Sequence, residues 1–227
     1  MTLAFIFSIE DAWVVVADKR DTSYMYGDGN NKIPFFSDNV EKIKEIDHNL
    51  FFIGAGNQDI LDKSIELINS CNDFNEFNNN IEKNIDALYG QFGTSIDLEE
   101  FIVIDQKMQK AFKFKVKDIK EKKKKGKEEI KNSSDKNFIG NYENCKDLGV
   151  VKINFSVVRK INFNQISTKF CDFCNSWLSL LSIDSLDYVG HPAIHGSDIW
   201  VISKDKIRKI VTYPKNNYEY GGDIKND

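Results

Sequence analysis

Four positions in the first quarter of the chain carry residue types that can do chemistry together. Thr2 stands directly behind Met1, and removal of the initiator Met ahead of a small residue is expected to leave Thr2 at the N-terminus. A terminal Thr holds a hydroxyl and, on the same residue, an α-amine of pKa about 7.7–8.0. Near pH 7 that amine is partly neutral and can accept the hydroxyl proton, so one residue supplies both nucleophile and base. Asp18 closes the run "WVVVAD", Lys42 opens "KIKEID", and Gly56 closes "NLFFIGAG" just before a helical pattern. A backbone N–H at such a strand-to-helix turn is a natural oxyanion donor.

A nucleophile at a chain end has to sit on a rigid element, because a mobile end cannot hold reacting geometry. The sequence meets that demand at once. "LAFIFS" (3–8) and "AWVVVA" (12–17) read as two buried strands around a tight turn at Glu10 and Asp11, which returns Asp18 beside the chain start. Residues 21–41, with "GDGNN" and "IPFFSDN", read as a long loop holding at most a short strand. "KIKEID" and "NLFFIGAG" read as two more strands.

After Gly56 the apolar period becomes helical, with Ile60, Leu61, Ile65 and Ile68 on one face. A second helix is marked by a capping box of Asp73 and Glu76. Its stripe is Phe74, Phe77, Ile81, Ile85 and Leu88, and Gly90 is its expected end. "EFIVID" and "KAFKFKVK" return to strand. The Lys-rich stretch 117–137 is expected to be a solvated, disordered insertion, as blocks of like charge usually are. "NFIGN" and "VVKINFSVV" read as strands. A helix over 165–183 follows, with Ile166, Phe170, Phe173, Cys174, Trp177, Leu178 and Leu181 as its stripe. A hairpin, "DIWVISKD" into "KIRKIVTY", and a loose tail (214–227) close the chain. Blocks of hairpins alternating with blocks of helices predict an α+β fold of stacked antiparallel sheets with helices outside, in one domain spanning 2–213.

Composition narrows the partners. The chain has 227 residues, 41% hydrophobic and 29% charged, with a net charge of −4. That balance argues against nucleic acid and against an anionic membrane surface. No stretch reaches the roughly 18–20 apolar residues of a membrane span. The N-terminus lacks a basic, secretory-type start, so a cytoplasmic location is expected. Four cysteines do not make a disulfide framework. "CDFC" (Cys171, Cys174) followed by "HPAIH" (His191, His195) has the look of a zinc site. Against it, Cys174 falls on the apolar helical stripe, Cys171 at its edge, and the gap is longer than in Cys2His2 fingers. No metal and no cofactor is expected.

Thr2, the "DKRDT" stretch (18–22), the "KIKEI" stretch (42–46) and "GAG" (54–56) together resemble the N-terminal-nucleophile hydrolases of the proteasome β-subunit type. The spacing from Thr2 to Asp18 and from Lys42 to Gly56 is similar to that family's, while the loop between Asp18 and Lys42 is longer. The resemblance implies a four-layer αββα sandwich of two antiparallel sheets flanked by helices. It implies that the Thr2 hydroxyl attacks a peptide carbonyl, that Lys42 helps activate it, that Asp18 holds Lys42, and that the Gly56 N–H receives the oxyanion. Thr22 would offer backbone bonds to an extended peptide, and Gly54 would lie near the floor of a roomy first specificity pocket. There are departures: Asn57 stands where a second Gly is usual, Asn141 where a Ser is, and Asp187 is the nearest counterpart of the Asp that braces the nucleophile. With Thr2 behind Met1, no processing beyond Met removal is expected.

Three function classes follow from the resemblance. One is an N-terminal threonine peptidase acting on a peptide or protein, in a homo-oligomer such as a ring. Another is a transpeptidase or protein ligase, in which an incoming amine rather than water releases the same acyl-enzyme. The third is a non-catalytic, proteasome-like assembly subunit. A covalent adduct on Thr2 separates the last from the others, and an added amine acceptor separates the first two.

Overall fold

The structure, a computed structural model, describes residues 3–19, 21–26, 32–37, 40–130, 138–140, 160–174, 196–213 and 217–225. The chain divides into two compact units. One comprises residues 1–42 and 140–227, and the other residues 43–139.

The first unit is built on antiparallel strands β1 (Leu3–Ser8) and β2 (Ala12–Asp18), the second entirely buried. A run such as "WVVVA" has no polar alternation because both faces of its strand are covered. The strands numbered β11 (Ser197–Ser203), β12 (Lys206–Tyr213) and β13 (Asn217–Lys225) in chain order extend this sheet beyond β2. A short strand, β10 (Phe138–Gly140), is its other edge, giving the order β10-β1-β2-β11-β12-β13. Residues 161–174 are pinned to this unit. The Phe163 N–H donates to Asp11 Oδ1 at 2.8 Å, Arg208 stacks 4.8 Å over the Phe163 ring, and Phe170 packs 6.1 Å from Phe7.

Two expectations for this unit change. The expected loop at 21–41 contains an antiparallel hairpin, β3 (Asp21–Tyr26) with β4 (Lys32–Ser37). Pro34 and "GDGNN" concealed it. Pro34 is tolerated because β4 has β3 as its one partner among the described strands. The tail expected to be loose forms β13, which pairs along β12 with one register shift between Arg208 and Ile210. Tyr218, Tyr220 and Ile224 supply the strand preference that its glycines mask.

The second unit is a five-stranded antiparallel sheet: β5 (Ile43–Ile46), β6 (Leu50–Ala55), β7 (Glu100–Asp105), β8 (Lys110–Lys115) and β9 (Lys127–Glu129), in that order. Three helices supply the remainder of its core: α1 (Gln58–Asn69), α2 (Phe74–Asn79) and α3 (Ile81–Phe92). Leu50, Phe52, Phe101, Val103 and Phe114 of the sheet share one cluster with Ile60, Leu61, Phe74, Phe77, Ile85 and Leu88 of the helices. Burying each such side chain contributes about 1.5–3 kcal/mol.

The single helix expected from Asp73 is two helices, broken at Asn80, whose N–H reaches both Glu76 O and Phe77 O. Asp73 does cap, accepting from the Glu76 N–H at 2.8 Å. Glu76 returns its carboxylate to the Asn72 N–H rather than to Asp73. Helix α3 runs through Gly90 to Phe92 and ends at Gly93, whose φ of 61° lies in the left-handed region.

The Lys-rich insertion is folded as far as residue 130, contrary to expectation. Val116 and Ile119 bury one face of α4 (Val116–Lys120), β9 pairs with β8, and Ile130 is buried behind it. Lysines 117, 120 and 123 find Asp97, Asp86 and Asp118. Ile119 and Ile130, with Val116 just ahead of them, are enough to fold a segment whose bulk composition reads as disordered. Residues 131–137 lie outside the described ones. No helix among the described residues is long and apolar enough to cross a membrane.

Candidate functional site

At one end of the first sheet two ion pairs are buried. Asp18 is the last residue of β2 and is fully buried, opposite Ser197 of β11. Lys42 reaches it with Nζ at 2.8 and 2.9 Å from the two carboxylate oxygens, and both side chains are almost wholly shielded. Removing either charge from such a pair leaves the other buried, which typically costs about 3–5 kcal/mol. The family resemblance implied this contact, that Asp18 holds Lys42.

The second pair was not predicted. Lys19 Nζ lies 3.1 Å from Asp198 Oδ1. Asp198 stands opposite Ala17 in the ladder, so it projects from the other face of the sheet than Asp18. Burial pushes the Asp198 carboxyl up. Lys19 pulls it down, and the negative charges of Glu41 and Asp18 push it further up. The available signal was an Asp inside an otherwise apolar strand, "SDIWVIS", which has to find a cation if it is buried.

Strand β1 begins at this same end of the sheet. The pairing Ala4 with Ala17 sets Leu3 and Asp18 at the ends of their strands. Thr2 itself lies outside the described residues, as do Asn141, Asp187, His191 and His195. Thr22 lies on β3, paired in register with Phe36.

In the second unit, Gly56 makes the turn from β6 to α1 with φ +147°, a conformation side-chain-bearing residues rarely adopt. It is needed for a further reason. A Cβ there would lie 1.5 Å from Glu99 Oε2. Glu99, directly before β7, is 4% exposed, and its two oxygens accept the Asn57 N–H at 2.9 and 3.1 Å. Among the described residues no cation pairs with it. Burial pushes its carboxyl up from 4.5 to about 7, with the Asn57 N–H acting in the opposite direction. Asn57 in turn caps α1, its Oδ1 accepting the Asp59 N–H at 2.9 Å. Sequence reasoning singled out Gly56 and the departure at Asn57, and missed Glu99. Its place at the edge of "EEFIVID" reads as solvent-exposed.

A Cβ at Gly54 would sit 2.7–2.8 Å from both Leu61 Cδ atoms and 2.8 Å from Phe52 Cε1. Its missing side chain lets α1 pack against β6.

Cys171 and Cys174 are buried in the helical stretch 168–174. Burial pushes the Cys171 thiol up to about 11 and Cys174 well above its ordinary range, which keeps both protonated and unreactive. Phe173, expected on the apolar stripe of this helix, is instead exposed.

No family model matches the chain, and no curated protein matches it in sequence. Its structure is similar to that of a mutant Anbu from Hyphomicrobium sp. strain MC1, with a TM-score of 0.60 and 14% identity. The match covers 96% of this chain and 89% of that one. The likeness shows the fold: mixed α+β and proteasome-like, with two antiparallel sheets and helices against them. At this identity it carries the fold alone.

Proposed function

We propose that the chain is an N-terminal threonine hydrolase of amide bonds, acting on a peptide or protein. The observation that carries the reading is the buried Asp18–Lys42 pair at the end of the sheet where β1 begins, immediately after Thr2. Buried charge is expensive, and a structural core does not require it. An ammonium held rigidly at the start of the first strand is what an N-terminal Thr needs for activation.

In this reading Met1 is removed and the Thr2 hydroxyl attacks the substrate carbonyl. Its proton passes to the Thr2 amine, directly or through water, while the positive potential of Lys42 favours the developing alkoxide. The oxyanion is received by the Gly56 N–H. Collapse of the tetrahedral adduct breaks the amide bond. The leaving amine takes the proton, and the acyl group stays as an ester on Thr2. Water then releases the acid and regenerates the hydroxyl. An amine acceptor in place of water makes the same enzyme a transpeptidase. Thr22, on the β3–β4 hairpin, is the residue proposed to pair with an extended substrate through its backbone. We further propose that the chain works as a homo-oligomer, which sedimentation analysis tests.

A β-lactone or epoxyketone probe tests the reading. Wild type is expected to form one covalent adduct on Thr2, Thr2→Ser to react more slowly, and Thr2→Ala not at all. Circular dichroism serves as the fold control.

A further inference from the structure

We infer that Glu99 is a positioning residue for the turn that presents the Gly56 N–H, an inference that rests on the reading of Gly56 as oxyanion donor. The turn is held from both sides by one stretch of chain. On the side before Gly56, Ala55 of β6 pairs with Glu100 of β7. On the side after it, the Asn57 N–H donates to the Glu99 carboxylate. Adjacent residues of one strand, one through its backbone and the next through its side chain, therefore clamp the two peptides that flank Gly56.

Gly56 is the joint between those peptides, and a residue without Cβ is the least restricted joint a chain can have. Unclamped, the Ala55–Gly56 peptide, which carries the proposed donor, can rotate away from its aim. Catalysis is sensitive to that. An oxyanion donor is effective only where it already points at the developing charge, and a displacement of about 1 Å can cost ~100-fold. The carboxylate also fills the space beside Gly56 where a Cβ would lie. Helix α1 is tied to the same turn, with the Leu61 N–H donating to Asn57 O at 3.0 Å. Capping of α1 does not require Glu99, because the Asn57 side chain already does it.

The variants that test this are Glu99→Ala, which removes the acceptor, and Glu99→Gln, which keeps one acceptor oxygen. Asn57→Pro removes the donor; proline's fixed φ suits the −76° of Asn57. Inactivation of each by the β-lactone probe is resolved into a maximal rate and a half-saturating concentration. Glu99→Ala and Asn57→Pro are each expected to lower the maximal rate by roughly 10-fold or more, with half-saturation nearly unchanged. Glu99→Gln is expected to recover most of it. The double variant should be no worse than Asn57→Pro alone, which already breaks the contact that Glu99→Ala removes and also loses the side-chain cap of α1. If Glu99→Ala does not fold, Glu99→Gln and Asn57→Pro carry the test. A wild-type chain that is not labelled at Thr2 overturns the reading of the site and this inference with it. A labelled wild type whose Glu99→Ala and Asn57→Pro variants react at its rate overturns the inference alone.

Discussion

Two buried carboxylates in this chain solve the same physical problem differently. Asp18 is shielded from water and meets an ammonium at 2.8 Å. Glu99 is shielded nearly as well and meets a backbone N–H, with no cation paired to it among the described residues. An ammonium compensates the lost hydration of a carboxylate with a full opposite charge, whereas one amide does so only in part. Glu99 accordingly titrates near neutral pH. The first arrangement fixes a charge in place. The second fixes a backbone turn, and its own charge depends on pH.

The difference can be broken most forcefully at Lys42. Lys42→Ala strands the Asp18 carboxylate without its ammonium and is expected to destabilise the fold by about 3–5 kcal/mol, read as a lower urea midpoint. Adding Asp18→Asn should recover part of that loss. Equal midpoints for wild type and Lys42→Ala would mean the pair contributes nothing to the fold.

Gly56→Ala comes next. It forces a side chain into φ +147° and drives Cβ into the Glu99 carboxylate. Strain of this kind costs on the order of 1–3 kcal/mol before the collision is counted. Repeating it in a Glu99→Ala background separates the two contributions, since only the collision is relieved there. An undiminished cost would mean that the carboxylate does not occupy the space beside Gly56.

Glu99→Gln sharpens the comparison by pH. The folded-state value near 7 lies above the ordinary 4.5. Below about 4.5 the carboxyl is neutral in both states and burial carries no charge penalty. As pH rises toward 7 the unfolded chain ionises more readily than the folded one, so wild type loses stability through that window. Above 7 the loss is complete, up to roughly 3 kcal/mol at 1.36 kcal/mol per pKa unit. Gln carries no charge, so the variant should gain on wild type from pH 4.5 to pH 7 and stay ahead above it. Parallel denaturation curves from pH 4.5 to pH 8 would contradict the assignment.

The smallest effect is expected at Lys44, whose partner Asp62 is half exposed. Lys44→Ala should leave the urea midpoint within experimental error, because solvent screens exposed pairs. It sets the baseline against which Lys42→Ala is read.

How much of this was legible in the sequence depended on whether a signal was local. β1 and β2 followed from runs of aromatic and β-branched residues, α1 from its apolar period, the α+β class from the order of such blocks, and the Asp73 cap from its own spacing. Two strands and a tight turn return Asp18 beside the chain start, but nothing local says where Lys42 goes, and only the family resemblance paired the two. Asp198 and Glu99 were out of reach. Their partners are Lys19 and Asn57, far along the chain, and only the folded ladder brings them together. Composition misled twice. Lysines hid the buried Ile119 and Ile130, and the glycines of the tail hid a strand. The packing of Leu61 over Gly54 was also out of reach, because a missing side chain looks the same in sequence whatever lies above it.

The central claim is that Thr2 is the nucleophile, and intact mass after treatment with the β-lactone probe tests it most directly. The chain is produced without an N-terminal tag and analysed beside Thr2→Ala. The account predicts a wild-type mass lacking Met1 and raised by one acyl group, mapped to Thr2, and no adduct on Thr2→Ala. Labelling of a chain that retains Met1, or of Thr2→Ala at the wild-type rate, would contradict it.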